Sequence, residues 1–386
     1  MEMSSYILKV LGSVYFQKTA WEMSSSTTIA ILNKGKWVDI VVPIPPLEEQ
    51  HRIVAKVDEL MALCDQLEQQ QTHSIEAHQT LVASLLGTLT RVESQQEFSA
   101  AWARIACHFD TLFTTEANID QLKQTLLQLA VMGKLIPHDP NDEPASVLLE
   151  RIAAEKARLV SAGKISKPKP LPPVTEEEKL FNIPDGWMWT KFDDLALHSE
   201  AGWSPNCEPT PRQGDNWGVL KVSAVTWGKY DPLENKALPA NLEPKPEFEV
   251  MPGDFLISRA NTAELVARAV VVPNGAPPHL MMSDKIIRFV FAPEIDHEYL
   301  TLVNGNEFSR AYYARVAGGT SSSMKNVSRE QIKNLVVALP PLAEQHRIVA
   351  KVVELMALCD ALKSRLTNAQ TIQLHLADAI VERAVC

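Results

Sequence analysis

Between Gly253 and Val272 the chain reads GDFLISRANTAELVARAVVV, an apolar strand that runs into the polar loop Ser258-Arg259-Ala260-Asn261-Thr262. A guanidinium and a carboxamide two residues apart suit recognition more than catalysis. Arginine can place two donors on the acceptor edge of guanine, and asparagine can donate and accept at adenine. The plainer alternative is an ion pair of Arg259 with Asp254 or Glu264. A second stretch, GGTSSSMKN from Gly318 to Asn326, strings small residues and hydroxyls, Ser322 among them, ahead of Lys325. Such a loop can bring backbone N–H groups against phosphate, or simply connect two elements. Lys221 in VLKVS and Lys285 in SDKIIRF flank apolar runs, as phosphate contacts or as solvated strand ends. Trp203, Trp217 and Trp227 offer rings for base stacking, but in a β-rich region large aromatics read better as core.

Bond-making chemistry has less support. A DNA amino-methyltransferase needs a Gly-rich loop after a strand and an Asn/Asp-Pro-Pro-aromatic motif for the flipped base. The nearest strings, DPNDEP and DPLEN, lack the aromatic. No P-loop occurs, and no carboxylate cluster with a lysine stands in a strand context. The five cysteines form no CxxC pair and no zinc-type spacing, which fits a reduced, cytoplasmic setting. No apolar run is long enough to span a bilayer, and MEMSSYILKVLG does not read as a secretion signal. A net charge of −10 argues against coating nucleic acid by bulk charge. Residues 187–339 hold 15 Lys+Arg against 18 Asp+Glu, so a few placed donors would have to suffice.

Those donors need elements to hold them, and the clearest elements are duplicated. PPLEEQHRIVAKVDELMALCD, Pro45–Asp65, returns as PPLAEQHRIVAKVVELMALCD, Pro340–Asp360, with 19 of 21 positions identical. In each copy Pro-Pro closes the preceding strand and sets up a helix start. Apolar residues then fall at alternating fours and threes: Ile53, Val57, Leu60, Cys64 and Leu67, then Ile348, Val352, Leu355, Cys359, Leu362 and Leu366. This is the seam of a helix that packs lengthwise on another. Each helix runs for some forty residues, roughly 60 Å at 1.5 Å per residue. Two matched rods most simply pair with each other, antiparallel if the chain between them closes back. The equivalent seam thiols Cys64 and Cys359 are expected to be buried and inert.

The duplication extends upstream. SSSTTIAILNKGKWVDIVVPIPP aligns without gaps on GTSSSMKNVSREQIKNLVVALPP, as a loop, a turn and a short apolar strand. YILKVLGSVYFQ resembles YLTLVNGNEFSR with a two-residue shift. With a chain of 386 residues pointing to two or three domains, the organisation follows. Residues 1–44 read as the tail of a first domain and 45–92 as the first long helix. A helical insert spans 93–166, with a stop at Met132-Gly133 and a helix ending near Gly163. A Pro-rich linker covers 167–180, an intact mixed α/β domain 181–339, and the second long helix 340–386. The fold class is α+β.

The repeated PPLxEQHRIVAKVxELMALCD, with FNIPDGWMW opening the intact domain and GDFLISR within it, resembles the specificity subunit of type I restriction–modification enzymes. The resemblance covers nearly all of the chain, and the duplicated helix opening is its most specific motif. It implies two target-recognition domains, each reading half of a split double-stranded DNA site. Each is followed by a long helix, and the two helices form an antiparallel coiled coil. It implies no catalytic residues and no cofactor, with S-adenosylmethionine, ATP and magnesium used by partner subunits. Those partners would be methyltransferase subunits and, through them, a restriction/translocase subunit; self-association and the absence of a membrane role are further expectations. On this view Ser258, Arg259, Asn261, Thr262, Lys221, Lys285, Ser322 and Lys325 are the candidate DNA contacts. Gln50, Arg52, Gln345 and Arg347 are candidate contacts to the methyltransferase, because they stay identical at what look like exposed positions. Capping and i,i+4 pairing is the alternative for them, and His51 and His346 are read as solvated or partner-facing. The first domain departs from the pattern: its front, with any GWxW or SR strand, is missing. The competing functions are a coiled-coil scaffold whose α/β domain binds protein, or a catalytic methyltransferase or nuclease.

Overall fold

A computed structural model describes residues 2–24, 31–92, 94–319 and 324–385. It divides into two compact units, residues 1–82 and 83–386.

The first unit opens with α1 (Glu2–Gly12), α2 (Val14–Met23) and α3 (Lys34–Val38). The Ser13 hydroxyl caps α2 by accepting from Phe16 N at 3.3 Å, and the Asn33 carboxamide caps α3 by accepting from Lys36 N at 2.9 Å. Phe16 is buried with its ring edge-on to Trp37, centroids 5.1 Å apart. Tyr6 is buried as well, and its hydroxyl donates to Pro43 O at 2.9 Å. Helix α4 (Leu47–Arg91) is a single rod of 45 residues. Its seam residues Leu60, Cys64 and Leu67 are exposed, so the expected burial of Cys64 does not occur.

The second unit continues with α5 (Gln95–Cys107), α6 (Phe109–Leu112), α7 (Glu116–Val131) and α8 (Ala145–Ser161). After the linker come β1 (Met188–Lys191), α9 (Phe192–Leu195), β2 (Ala196–Ala201), β3 (Gly218–Leu220) and β4 (Asn235–Ala237). Next are β5 (Phe255–Ser258), β6 (Ala260–Asn261), β7 (Ala269–Val271), β8 (Leu280–Met281) and β9 (Ile286–Phe291). The unit closes with α10 (His297–Gly305), α11 (Glu307–Val316), β10 (Lys325–Asn326), α12 (Arg329–Lys333), β11 (Val336–Leu339) and α13 (Leu342–Val385).

Strands β2, β9, β5 and β7 form an antiparallel sheet in that order, and β4, β3 and β8 form a smaller one. Two further antiparallel pairs, β1 with β11 and β6 with β10, tie distant segments together. One face of the larger sheet buries Phe255, Phe289 and Phe291 around Phe192, edge to face at 5.1 and 5.4 Å from the last two. Leu148 and Ile152 of α8, Ala130 and Val131 of α7, and Ile348 and Val352 of α13 belong to the same core. Of the helices read as an insert, α7 and α8 therefore pack into the α/β domain. Gly133, at φ +70, ends α7 where a Cβ would meet Pro184 Cγ at 2.6 Å, so only glycine fits the close turn.

The seam of α13 has found a partner in α7. Lys123 pairs with Asp360, Lys363 with Asp120 at 2.8 Å, and Thr367 donates to Glu116 at 3.0 Å, so the two helices run antiparallel. Ile348, Val352 and Cys359 are buried along this contact. Beyond it Ile372, Leu376 and Ile380 are exposed.

The two copies match element by element. With the two-residue shift α1 and α2 correspond to α10 and α11; without a gap α3 corresponds to α12, and α4 to α13. Tyr299 repeats the Tyr6 bond, its hydroxyl donating to Ala338 O at 2.7 Å. The copies diverge at the strand. Residues 336–339 form β11 because β1 completes the ladder, whereas the aligned 41–44 carry no assigned strand, and Ile44 is 63% exposed where Leu339 is buried.

Candidate nucleic-acid interface

The short β6–β10 ladder joins two of the segments singled out in the sequence. Asn261 stands directly opposite Lys325, and Arg259 links the same edge on both sides. Its N–H donates to Lys285 O at 2.8 Å, and its carbonyl accepts from Val327 N at 2.9 Å. Arg259, Asn261, Thr262, Lys285 and Lys325, spread over 67 positions, thus share one edge of the domain. Lys221 precedes the 3-10 turn Val222–Val225, which leads to Thr226, and the Thr226 hydroxyl accepts from Asn261 Nδ2 at 3.0 Å. Ser322 lies outside the described residues.

The polar atoms of this edge differ in what they have left to offer. Asp254 is taken by Arg288 at 2.8 Å, so it is not the partner of Arg259. Arg259 lies near Asp284 instead, and its Nε is buried without a hydrogen-bond partner among the described residues. Burial works against ionisation of Asp284, yet hydrogen bonds from Lys285 and Ser204 and the charges of Lys285 and Arg259 hold its carboxyl below the usual range. Lys285 pairs with Asp284 at 2.8 Å, Lys221 with Glu234 at 3.6 Å, and Lys325 donates to Gly319 O at 2.7 Å. Asn261 spends its amide on Thr226 and its carbonyl on Thr262 N at 2.8 Å, so bidentate adenine reading would require both bonds to open. Thr262 in turn closes a tight turn, its carbonyl accepting from Leu265 N and Val266 N.

Ser258 needs correcting. It is fully buried, and its hydroxyl accepts from Arg268 N at 3.1 Å, which makes it a brace for the loop and leaves it out of reach of a ligand as folded. The tryptophans divide. Trp217 is half-buried against His279, centroids 4.8 Å apart, and Lys245 lies over the ring of Trp203 at 4.4 Å. Trp227, read as core, is 71% exposed. The signal for that was local: it precedes Gly228-Lys229 in a polar stretch with no strand periodicity.

The repeated helix starts need a correction too. Gln345 is 0% exposed: its Nε2 donates to Pro340 O at 3.0 Å, and its Oε1 accepts from Asp296 N at 3.0 Å. Gln50 is buried likewise and donates to Pro45 O at 2.8 Å, while its Oε1 has no partner among the described residues. Each glutamine ties down the carbonyl of its own Pro-Pro turn, which explains its identity in both copies without a partner surface. Arg347 forks onto Asp142, the shorter bond at 2.5 Å, whereas Arg52 is exposed. The neighbouring Glu344 is buried, accepting from Trp187 Nε1 at 3.0 Å and lying 2.6 Å from His138 Nδ1.

Among the described residues no helix is long and apolar enough to cross a membrane, and no cluster of three or more His, Cys, Asp or Glu is placed to hold a metal ion.

Residues 4–77 match the family described as the type I restriction modification DNA specificity domain. The chain is 47% identical over 346 residues to the EcoEI specificity subunit of Escherichia coli, a type I restriction enzyme subunit, covering 89% of this chain and 58% of that one. It is 40% identical over 359 residues to the EcoAI specificity subunit of the same species, again covering 89% of this chain and 58% of the relative. The chain thus spans rather more than half the length of these relatives. A solved chain from work on complex assembly and conformational transition of the type I R-M system matches 98% of this chain and 70% of itself. Its TM-score is 0.53 at 16% identity, a likeness of fold.

Proposed function

Because this chain belongs to the specificity subunits of type I restriction–modification systems, we propose that it is a non-catalytic reader of double-stranded DNA that recognises one half of a split site. The observation that carries the reading is the edge on which Arg259, Asn261, Lys285 and Lys325 converge from separate segments. Most of its charged groups are already held by neighbours, as suits a surface that orders a few donors in advance of binding. Arg259, tied into this edge by its backbone on both sides, is the best placed to read a base. Lys221, Lys285 and Lys325 lie where phosphates would pass. The long helices α4 and α13 would space the reader and dock methyltransferase subunits, with exposed Arg52 as the retained contact among the four residues named for that role. A restriction/translocase subunit would join through those subunits, and S-adenosylmethionine, ATP and magnesium would be used by these partners alone.

The test is selection from a pool of random 40-base-pair duplexes by the chain reconstituted with a type I methyltransferase subunit. Enrichment of one short sequence is expected, with an affinity that falls steeply as salt rises. Absence of both would leave the scaffold reading, and tight S-adenosylmethionine binding by the chain alone would favour an enzyme.

A further inference from the structure

The loop that follows the 3-10 turn Val222–Val225 is built to hold its tip still. Asp231 N donates to Ala224 O at 2.9 Å and closes the base. Thr226 is buried, with its hydroxyl donating to Val222 O at 2.7 Å and accepting from Asn261 Nδ2 at 3.0 Å. On the far side Tyr230 packs against the core of Leu220, Leu256 and Leu280. Between these anchors stand Trp227, Gly228 at φ +73, and Lys229.

Both side chains at this tip face solvent. Among the described residues neither has a hydrogen bond, ion pair or ring partner, unlike Trp203 under Lys245 or Trp217 against His279. A bare indole on a braced loop contributes little to folding, yet it offers a large apolar face at small entropic cost on binding. Its surroundings indicate the ligand. Thr226 joins the tip to Asn261, Asn261 stands opposite Lys325, and Met324 beside Lys325 is a second exposed apolar side chain. An apolar–polar–cationic–apolar row matches a duplex groove, where apolar side chains meet thymine methyls or base steps and ammonium groups meet phosphate.

We propose that Trp227 and Lys229 form a specificity contact of the reader, the indole lying against base edges in the groove and the ammonium on the adjoining phosphate. Asn261 acts as a positioning residue that fixes the tip through Thr226. This assignment rests on the DNA-reading function above.

The test uses the full chain with its methyltransferase subunit and the duplex that the wild type enriches. Trp227→Ala is expected to weaken that duplex by about tenfold while leaving an unrelated duplex unchanged, and Trp227→Phe to restore most of the loss. Lys229→Ala should weaken both duplexes and reduce the slope of log affinity against log salt by about 1. Lys169→Ala, which removes an equal charge from the exposed linker, should do neither. Wild-type affinity and the same enriched sequence in Trp227→Ala would overturn the assignment. A wild type that enriches no duplex would instead bring down the DNA-reading function itself, and this contact with it.

Discussion

Arg288 lies in the central strand β9 and uses every N–H of its guanidinium. Nε donates to Glu200 at 2.9 Å; Nη1 to Glu249 O and Asp254; Nη2 to Glu200 and Glu247 O. Burial opposes its charge, but the hydrogen bonds it donates to the carboxylates of Asp254 and Glu200 overcome that and raise its pKa. A lysine cannot reproduce the fork. Arg288→Lys is expected to cost about 3 kcal/mol in denaturant unfolding, at the lower end for a broken buried pair because Glu200 is partly solvated. Glu344 and its counterpart Glu49 make a sharper comparison. Glu344→Ala strands the buried Trp187 indole N–H and should cost about 1–3 kcal/mol. Glu49 is exposed, and Glu49→Ala should stay within about 0.5 kcal/mol. Equal losses would show that the two starts share an environment in solution. The sequence made these glutamates look alike; only tertiary contact separates them.

Among the elements, both rods were legible because their apolar spacing persists over many turns, and their starts fall where Pro-Pro places them. What the spacing could not say is which helix fills the seam. A heptad pattern demands a neighbour of matching length without identifying it, and α7, read as part of an insert, takes that place along α13. Ile348→Ala should therefore destabilise the second unit by about 2–4 kcal/mol, whereas the half-buried Ile53→Ala should cost distinctly less. The strand expected before the first rod was illegible for a related reason: Val41, Val42 and Ile44 repeat the apolar character of β11, but Pro43 stands where β11 has Ala338, and a ladder requires a second strand. Of the candidate edge, the sequence located the loops through their donors. It missed the engaged amide of Asn261 and the buried Ser258, because hydrogen-bond saturation depends on residues that are remote in the chain.

For the whole molecule, size separates the two units. Among the described residues the first buries few large side chains, chiefly Tyr6, Phe16, Ile40 and Val82, whereas the second holds extended clusters. Small cores are marginal. Calorimetry on the full chain should resolve a minor transition for the first unit below a major one for the second, and a single two-state peak would contradict this. The tyrosine bond that closes both copies turns this asymmetry into something useful. One polypeptide holds the same phenol-to-carbonyl clasp at two depths, since Pro43 is exposed and Ala338 is buried. A specimen carrying isotope-labelled tyrosine would thus contain its own yardstick: the Tyr299 hydroxyl proton should swap with solvent more slowly than that of Tyr6. Whatever alters one partner of the pair can be gauged against its twin in the same tube.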